Sequence, residues 1–339
     1  MPQEAILRWG ILSTGMISRN FTKALRLLPH GEHVVVAVAA RKLESAEEFA
    51  KDLKIPEAYG SYEELVLNAD IDIVYVGTIH PYHLQLTLMA LNAGKHVLCE
   101  KPLGMNKSQV QQMVSLAQEK KLFLMEGLWS RFFPAYECVQ QHIRDDTIGE
   151  VRFVQAAFGQ DLLNIPRCTE LELGGGAILD LGVYAVQFAC FIFGEKPLKI
   201  EATGGKLENG ADLWSTITLV YSDDRVAQLT CHMGVELTHQ ASVHGTRGSL
   251  TVPYFWCPSS VITPAGKLDF QLPVPEEKLE KELHEGFVYE QKCVRDCILK
   301  GQTECPLVTH EDSLLIAEIM DEARRQLGVK YPADDESQN

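Results

Sequence analysis

The chain reads as an α/β protein in two parts: an N-terminal doubly wound parallel sheet, then a C-terminal α+β domain with a largely antiparallel open sheet. Three observations predict this. Between Leu7 and Glu126, short and almost wholly apolar strands alternate with helical stretches, as in a parallel sheet buried on both faces. After Val151 the pattern changes to closely set alternating runs with turn residues between them, which suits antiparallel strands. A length of 339 residues also exceeds one typical domain, making two the natural division.

The elements follow in order. Leu7–Leu12 is an apolar strand before a helical segment near Met16–Leu28, and His33–Ala40 precedes a charged amphipathic segment, Leu43–Lys54. Ile71–Gly77 leads to a helix near Tyr82–Ala93, Lys95–Cys99 to another near Lys107–Lys120, and Leu122–Glu126 closes the series. Right-handed crossovers between such strands give a Rossmann-like domain, placed at residues 1–128. A helix near Arg131–Arg144 then precedes the strand Val151–Gly159, and a long helix, Gly176–Phe193, follows a triple glycine. Short strands are expected at Ile200–Gly204, Trp214–Tyr221, Val226–His232, Gln240–His244, Ser249–Val252 and Ser260–Thr263. Helices near Glu282–Lys300 and His310–Leu327 complete the second domain, 129–332, and the polar tail 333–339 is expected to be disordered.

Composition narrows the function classes. With 46% hydrophobic and 23% charged residues the chain reads as soluble and globular. No apolar run reaches the ~18 residues that span a bilayer, and Ala185–Phe193 reads as a buried helix. The N-terminus carries Glu4 and Arg8 and lacks the pattern of a secretory signal. Nine scattered cysteines without a CxxC pair fit reduced thiols in a cytoplasmic protein. Cys293 and Cys297 share a helix face, but no third and fourth ligand lie near them in sequence, so no metal site is expected. A net charge of −15 argues against nucleic-acid partners, while a local basic pocket remains compatible with an anionic cofactor.

Four segments carry chemistry. In Trp9–Ser18 a strand turns into a helix through Ser13-Thr14-Gly15, where a dinucleotide pyrophosphate meets helix N-terminal amides. Ser13 and Ser18 replace the first and third glycines of the GxGxxG fingerprint, and Gly15 retains the position of close backbone approach. At Ala39-Ala40-Arg41-Lys42 no acid waits for a ribose 2′-hydroxyl; Arg41 instead suits a 2′-phosphate and indicates NADP(H). In Gly77–His83, two histidines bracket a proline suited to a first helical turn. This loop is read as a cofactor contact with His83 on the nicotinamide side, rather than as a pair of metal ligands.

The strand His96–Cys99 ends in Glu100, Lys101 and Pro102. A lysine at the carboxyl end of a buried parallel strand sits where open α/β sheets place their ligands, and its charge needs a compensating group there. Finally, Asp180 and Tyr184 lie four apart behind Gly174-Gly175-Gly176 and share a helix face. Gly182 leaves room for an approaching group, and Lys101 is the candidate partner for Asp180.

In this order the motifs resemble those of the glucose–fructose oxidoreductase / inositol dehydrogenase / MocA-type family. AGKHV before CEKP, and GGGAILDLGVY, are the most specific marks, YGSYEELV and HPYH the secondary ones, and the likeness spans essentially the whole chain. Many members have histidine where this chain has Tyr184. The resemblance implies an NADP-dependent oxidoreductase that oxidises a trans-dihydrodiol of an aromatic hydrocarbon to a catechol, and aldoses such as D-xylose at C1. A sugar or inositol dehydrogenase is the alternative, and an inactive NADP(H)-binding regulator a second. It further implies Tyr184 as general base, with Lys101 bringing a phenol of ordinary pKa ~10 toward the working range, and Asp180 as organiser. The expected cofactor contacts are Ser13, Gly15, Met16, Ile17, Arg41, Tyr75, His80, Pro81, His83, Glu100 and Lys101. Trp129 and Phe158 are expected to wall the substrate pocket, with Phe133, Trp256 and Phe287 as weaker candidates. The open face of the second sheet is expected to form a homodimer.

Overall fold

The computed structural model describes residues 6–29, 31–272 and 284–336. The chain begins with β1 (Leu7–Leu12), α1 (Met16–Leu25), β2 (His33–Ala39), α2 (Leu43–Asp52), β3 (Glu57–Tyr59) and α3 (Tyr62–Val66). It continues with β4 (Ile73–Val76), α4 (His83–Asn92), β5 (His96–Glu100), α5 (Lys107–Lys120) and β6 (Leu124–Gly127). Then come α6 (Pro134–Arg144), β7 (Val151–Gly159), α7 (Pro166–Thr169) and α8 (Val183–Phe193). Strands β8 (Lys199–Lys206), β9 (Asp212–Val220), β10 (Val226–His232) and β11 (Gln240–Gly245) follow. After β12 (Gly248–Pro253), β13 (Ser260–Thr263) and β14 (Gly266–Asp269) come α9 (Phe287–Leu299), α10 (His310–Leu327) and α11 (Ala333–Glu336).

The first sheet is parallel throughout, in the order β3-β2-β1-β4-β5-β6. That is the doubly wound order, whose switch point lies between β1 and β4. All of β4 is buried, as are four residues of β5 and five of β1, so these strands show as unbroken apolar runs. β3 escapes that signal because its three residues, Glu-Ala-Tyr, are half-buried and partly polar.

The second sheet has eight strands in the order β14-β13-β12-β11-β7-β10-β9-β8, antiparallel except where β10 runs parallel to β7. Its buried face carries Val154, Ala156, Ile217, Leu219, Ala227, Leu229, Cys231 and Val243 and packs on α8. A helix apolar on all sides must be buried on all sides, and α8 is buried without a break from Val183 to Cys190. The expected helix start at Gly176 is a π-helical turn, Ile178–Gly182, feeding α8. Contrary to the reading of apolar runs, the helical stretch Leu171–Phe193 is long and apolar enough to cross a bilayer, with mean hydropathy 1.8. Since 83% of its most apolar window is buried here, it serves as the core helix of the second unit.

The chain does not divide at one point near 128. The first unit comprises Met1–Leu103, Gln111–Trp129 and Leu272–His310; the second comprises Gly104–Val110, Ser130–Gln271 and Glu311–Asn339. α9 therefore belongs with the parallel sheet. Gln291 Nε2 donates to the Phe21 carbonyl at 2.9 Å, Arg295 Nε donates to the Glu32 carbonyl at 3.1 Å, and the Phe21 and Phe287 rings meet edge-on. The first residues of the expected helix, 282–283, lie outside the described residues. The tail expected to be disordered is helical at Ala333–Glu336. Asp334 accepts there from Arg324 Nη1 at 2.9 Å, Asn106 Nδ2 at 3.0 Å and Tyr331 N at 2.9 Å. Residues 337–339 lie outside the described residues.

Helix α1 crosses the sheet at its switch point through one close approach. Ser18, at the third fingerprint position, is fully buried with its hydroxyl 3.5 Å from the Gly77 carbonyl. A Cβ on Gly77 would stand 2.3 Å from Ser18 Oγ and 2.7 Å from Tyr75 Cε1. The room that a glycine in the helix would supply comes instead from a glycine after β4. Gly77→Ala is accordingly expected to lower stability by about 1–3 kcal/mol, and adding Ser18→Gly should recover part of the loss. An unchanged urea midpoint in Gly77→Ala would refute this packing account.

Candidate active site

In the first unit, the β1–α1 turn is shaped for a phosphate. Ser13 has φ +95°, a region that favours glycine. Its amide donates to the Ala39 carbonyl at 2.9 Å, and its hydroxyl accepts from Gly15 N at 3.1 Å. Gly15 then opens α1 in an extended conformation, with no side-chain cap on the helix. A Cβ there would meet only Ser13 Oγ at 3.4 Å and the Gly77 carbonyl at 3.9 Å. Among the described residues nothing would crowd a Cβ at 15. The clearance lies over uncapped helix amides, which fits a dinucleotide pyrophosphate. Met16 is 72% exposed and Ile17 half-buried beside it. Past β2, Arg41 is exposed with its guanidinium 5.7 Å from the centre of the Tyr82 ring. An adenosine 2′-phosphate would find a bidentate donor at this place.

Lys101 follows β5 on a turn supported from beneath. Glu100 Oε1 accepts from the Tyr75 hydroxyl at 2.6 Å, and Oε2 accepts from the Lys101 amide at 3.3 Å. The Lys101–Pro102 peptide is cis. The Pro102 carbonyl lies 2.8 Å from His83 Nδ1, and Leu103 N donates to Glu126 Oε1 at 3.0 Å. Lys101 itself is half-exposed. Burial lowers the His83 pKa, so its ring is neutral and donates one N–H to a backbone carbonyl, with Pro102 the nearer and Thr78 at 3.2 Å.

Two expected cofactor contacts are corrected here. Tyr75 has no exposed surface, its hydroxyl is spent on Glu100, and its ring stacks on Phe21 at 3.8 Å. His83 is likewise enclosed, and its ring lies against the Pro102 turn. A position at the end of a strand does not reveal which way its side chain points. Glu100 is buried into the turn, while His80 is buried 5.7 Å from the His83 ring and Pro81 is half-buried. Sequence reasoning also missed Glu290 on α9, a buried carboxyl with no hydrogen-bond partner among the described residues. Burial, then the Glu100 charge, push its pKa well up.

In the second unit the π-helical turn carries Asp180, and the first turn of α8 carries Tyr184. Asp180 is buried, with Arg167 Nη1 at 3.3 Å and Cys168 Sγ at 3.2 Å. Arg167 went unnoticed because its short helix α7 bears no motif; a cation behind a helix-starting Pro166 was the only signal. Gly182 does not hold space for a ligand, since a Cβ there would stand 3.2 Å from Cys231 Sγ. It lets the turn lie close on β10.

Phe158 meets the Tyr184 ring edge-on at 5.6 Å, stacks on Trp256 at 5.6 Å and touches His239 edge-on at 4.9 Å. An aromatic wall thus stands beside the tyrosine. Phe133 is core, at 1% exposure. Trp129 belongs to the first unit, where it stacks on Phe287 at 4.5 Å.

Comparisons with known proteins give the family and the fold. A family model described as the oxidoreductase family with an NAD-binding Rossmann fold matches residues 7–128, and one for the GFO/IDH/MocA C-terminal domain matches 136–251. A Danio rerio protein named trans-1,2-dihydrobenzene-1,2-diol dehydrogenase is 49% identical over 330 residues, covering 97% of this chain and 99% of its own. The Homo sapiens protein of that name is 42% identical over 330 residues with the same coverage, 97% and 99%. Among solved structures, a 3-ketoreductase from Actinomadura kijaniata in complex with NADP superposes with TM-score 0.80 at 26% identity, over 95% of this chain and 98% of that one. Levoglucosan dehydrogenase in complex with NADH shares the fold, with TM-score 0.83 at 19% identity over 95% and 97% of the two chains.

Proposed function

Because the chain belongs to the GFO/IDH/MocA family of oxidoreductases, we propose that it oxidises a trans-dihydrodiol of an aromatic hydrocarbon with NADP, and aldoses such as D-xylose at C1. The observation that carries the dihydrodiol reading is the near full-length likeness, at 42–49% identity, to relatives named trans-1,2-dihydrobenzene-1,2-diol dehydrogenase. Oxidation of one CH–OH of a trans-dihydrodiol yields a hydroxyketone that enolises to the aromatic catechol, so aromatisation pulls the reaction forward.

The bound nicotinamide would accept the hydride. Tyr184 takes the proton of the substrate hydroxyl, and the Lys101 ammonium favours the phenolate. Asp180, held by Arg167, fixes the helix face that presents the phenol. Phe158 and Trp256 offer the apolar surface a planar diol needs. Arg41 selects the 2′-phosphate of NADP(H). Nine free cysteines suit a reducing, cytoplasmic setting.

A sugar or inositol substrate is the second reading, favoured by Asp180 and Arg167 as hydrogen-bonding groups near the tyrosine in sequence. A panel of diols and aldoses, assayed in both directions with both coenzymes, separates the two. A kcat/KM for aldoses tenfold above that for dihydrodiols would move the assignment, and absence of all turnover with tight coenzyme binding would indicate a regulator.

Tyr184→Phe should lower kcat by about 10²–10⁴-fold while coenzyme binding persists; a kcat within a few-fold of the parent would remove Tyr184 as the base. Lys101→Met should also shift the rising limb of the pH–rate profile to higher pH, because losing a nearby cation raises a phenol's pKa. A limb that stays in place would mean that Lys101 does not tune the base. Arg41→Ala is expected to raise the KM for NADP(H) about tenfold or more with little change for NAD(H); equal effects on both would contradict a 2′-phosphate contact. The homodimer is assigned to the face of the second sheet that carries Gln155, Thr218, Gln228 and Ser242 in one row across paired strands. Light scattering that finds a monomer at micromolar concentration would overturn it.

A further inference from the structure

Three thiols from two segments meet in the first unit. Cys293 and Cys297 lie one turn apart on α9, and the following loop brings back Cys305, the third ligand that sequence spacing did not reveal. Their sulfurs all lie within 4.8 Å of one another, and Cys293 Sγ is 3.6 Å from Cys305 Sγ. The return is fixed by backbone. Gln302 N donates to the Cys297 carbonyl at 3.0 Å, Leu124 N to the Thr303 carbonyl at 3.1 Å, and Val308 N to the Cys305 carbonyl at 3.1 Å. Glu304 accepts from His310 N at 2.8 Å, and the His310 ring meets the Leu124 carbonyl at 3.0 Å. The loop is thereby laced to β6. Cys297 and Cys305 are buried, while Cys293 is half-exposed.

At a metal–sulfur length of about 2.3 Å, tetrahedral thiolate ligands stand about 3.8 Å apart. The spacing of Cys293 and Cys305 already matches this, and the whole trio needs to contract by at most about 1 Å. An all-sulfur donor set selects thiophilic ions over Mg²⁺ or Ca²⁺. We propose that Cys293, Cys297 and Cys305 bind one thiophilic d10 metal ion of the Zn²⁺ class, with its fourth position open on the solvent side at Cys293. Binding exchanges three thiol protons for three metal–sulfur bonds, so loading releases protons and strengthens with rising pH. The ion would cross-link the end of α9 to the loop that anchors it on β6.

The test uses the full-length protein, reduced and freed of metal, titrated with Cd²⁺ alone. One equivalent should produce a thiolate-to-metal charge-transfer band and raise the Tm, since an ion that binds only the folded state stabilises it. Cys293→Ser, at a half-exposed position that tolerates the change, should weaken Cd²⁺ at least tenfold, and Cys305→Ser should abolish the band. Cys138→Ser, on another helix, should leave it intact. The proposal is overturned if the parent shows no band at stoichiometric Cd²⁺, or if the band survives Cys293→Ser undiminished. It is equally overturned if the three thiols lose two titratable groups on mild oxidation by a disulfide reagent while taking up no Cd²⁺ when reduced, because the trio is then a disulfide switch. None of these readouts depends on dehydrogenase turnover.

Discussion

Within the first sheet the hydroxyl of Tyr75 donates to one oxygen of Glu100 at 2.6 Å, where Tyr75 has no exposed surface and Glu100 almost none. The path of the chain after β5 depends on that contact. A buried carboxylate is tolerated only when its lone pairs are met, and this one takes the phenol on one oxygen and the Lys101 amide on the other. The turn is thus tied to the neighbouring strand before Lys101 projects. His83 and Glu126 secure the next two residues, so the ammonium stands on a backbone held at successive positions. Phe21 of α1 stacks on the same Tyr75 ring, joining α1 to the lysine turn through one aromatic contact.

The fingerprint at the β1–α1 turn shows how a geometry survives the loss of its usual residues. Two of three glycines are serines, yet each requirement is met. Ser13 adopts the positive φ and anchors itself through its hydroxyl. Ser18 finds clearance because Gly77 stands across from it. Only Gly15, where the open space faces outward, keeps the original residue.

The parallel sheet was legible because β1, β4 and β5 are buried on both faces and leave unbroken apolar runs. The three half-polar residues of β3 leave none. The second sheet was legible from alternation, apart from β14, whose four residues are all exposed. Arg41, Lys101, Asp180 and Tyr184 could be singled out because each follows a strand end or a glycine turn. Which face of β4 Tyr75 takes, and which way His83 points at the start of α4, carries no local signal, and the structure encloses both side chains. Arg167 and Cys305 meet partners 13 and 12 positions away across a turn of the chain, and Glu290 is enclosed by its place on α9, none of which periodicity within one segment encodes. The same holds for α9: its amphipathic pattern announced a helix but not which sheet it covers.

That placement of α9 bears on how the protein is made. The helix that covers Phe21 and receives its carbonyl is encoded more than two hundred residues after α1, since Gln291 and Phe21 stand 270 positions apart. A ribosome releases the whole parallel sheet, and then the whole second sheet, before the first unit can be closed. The nascent nucleotide-binding half must wait with one flank of α1 bare while both strands and helices of the second unit are made. Domain-by-domain folding from the N-terminus, the common order for long chains, is not open to this chain: the two units alternate along the sequence, the first completed only by α9 and the second only by α10 and α11 after it.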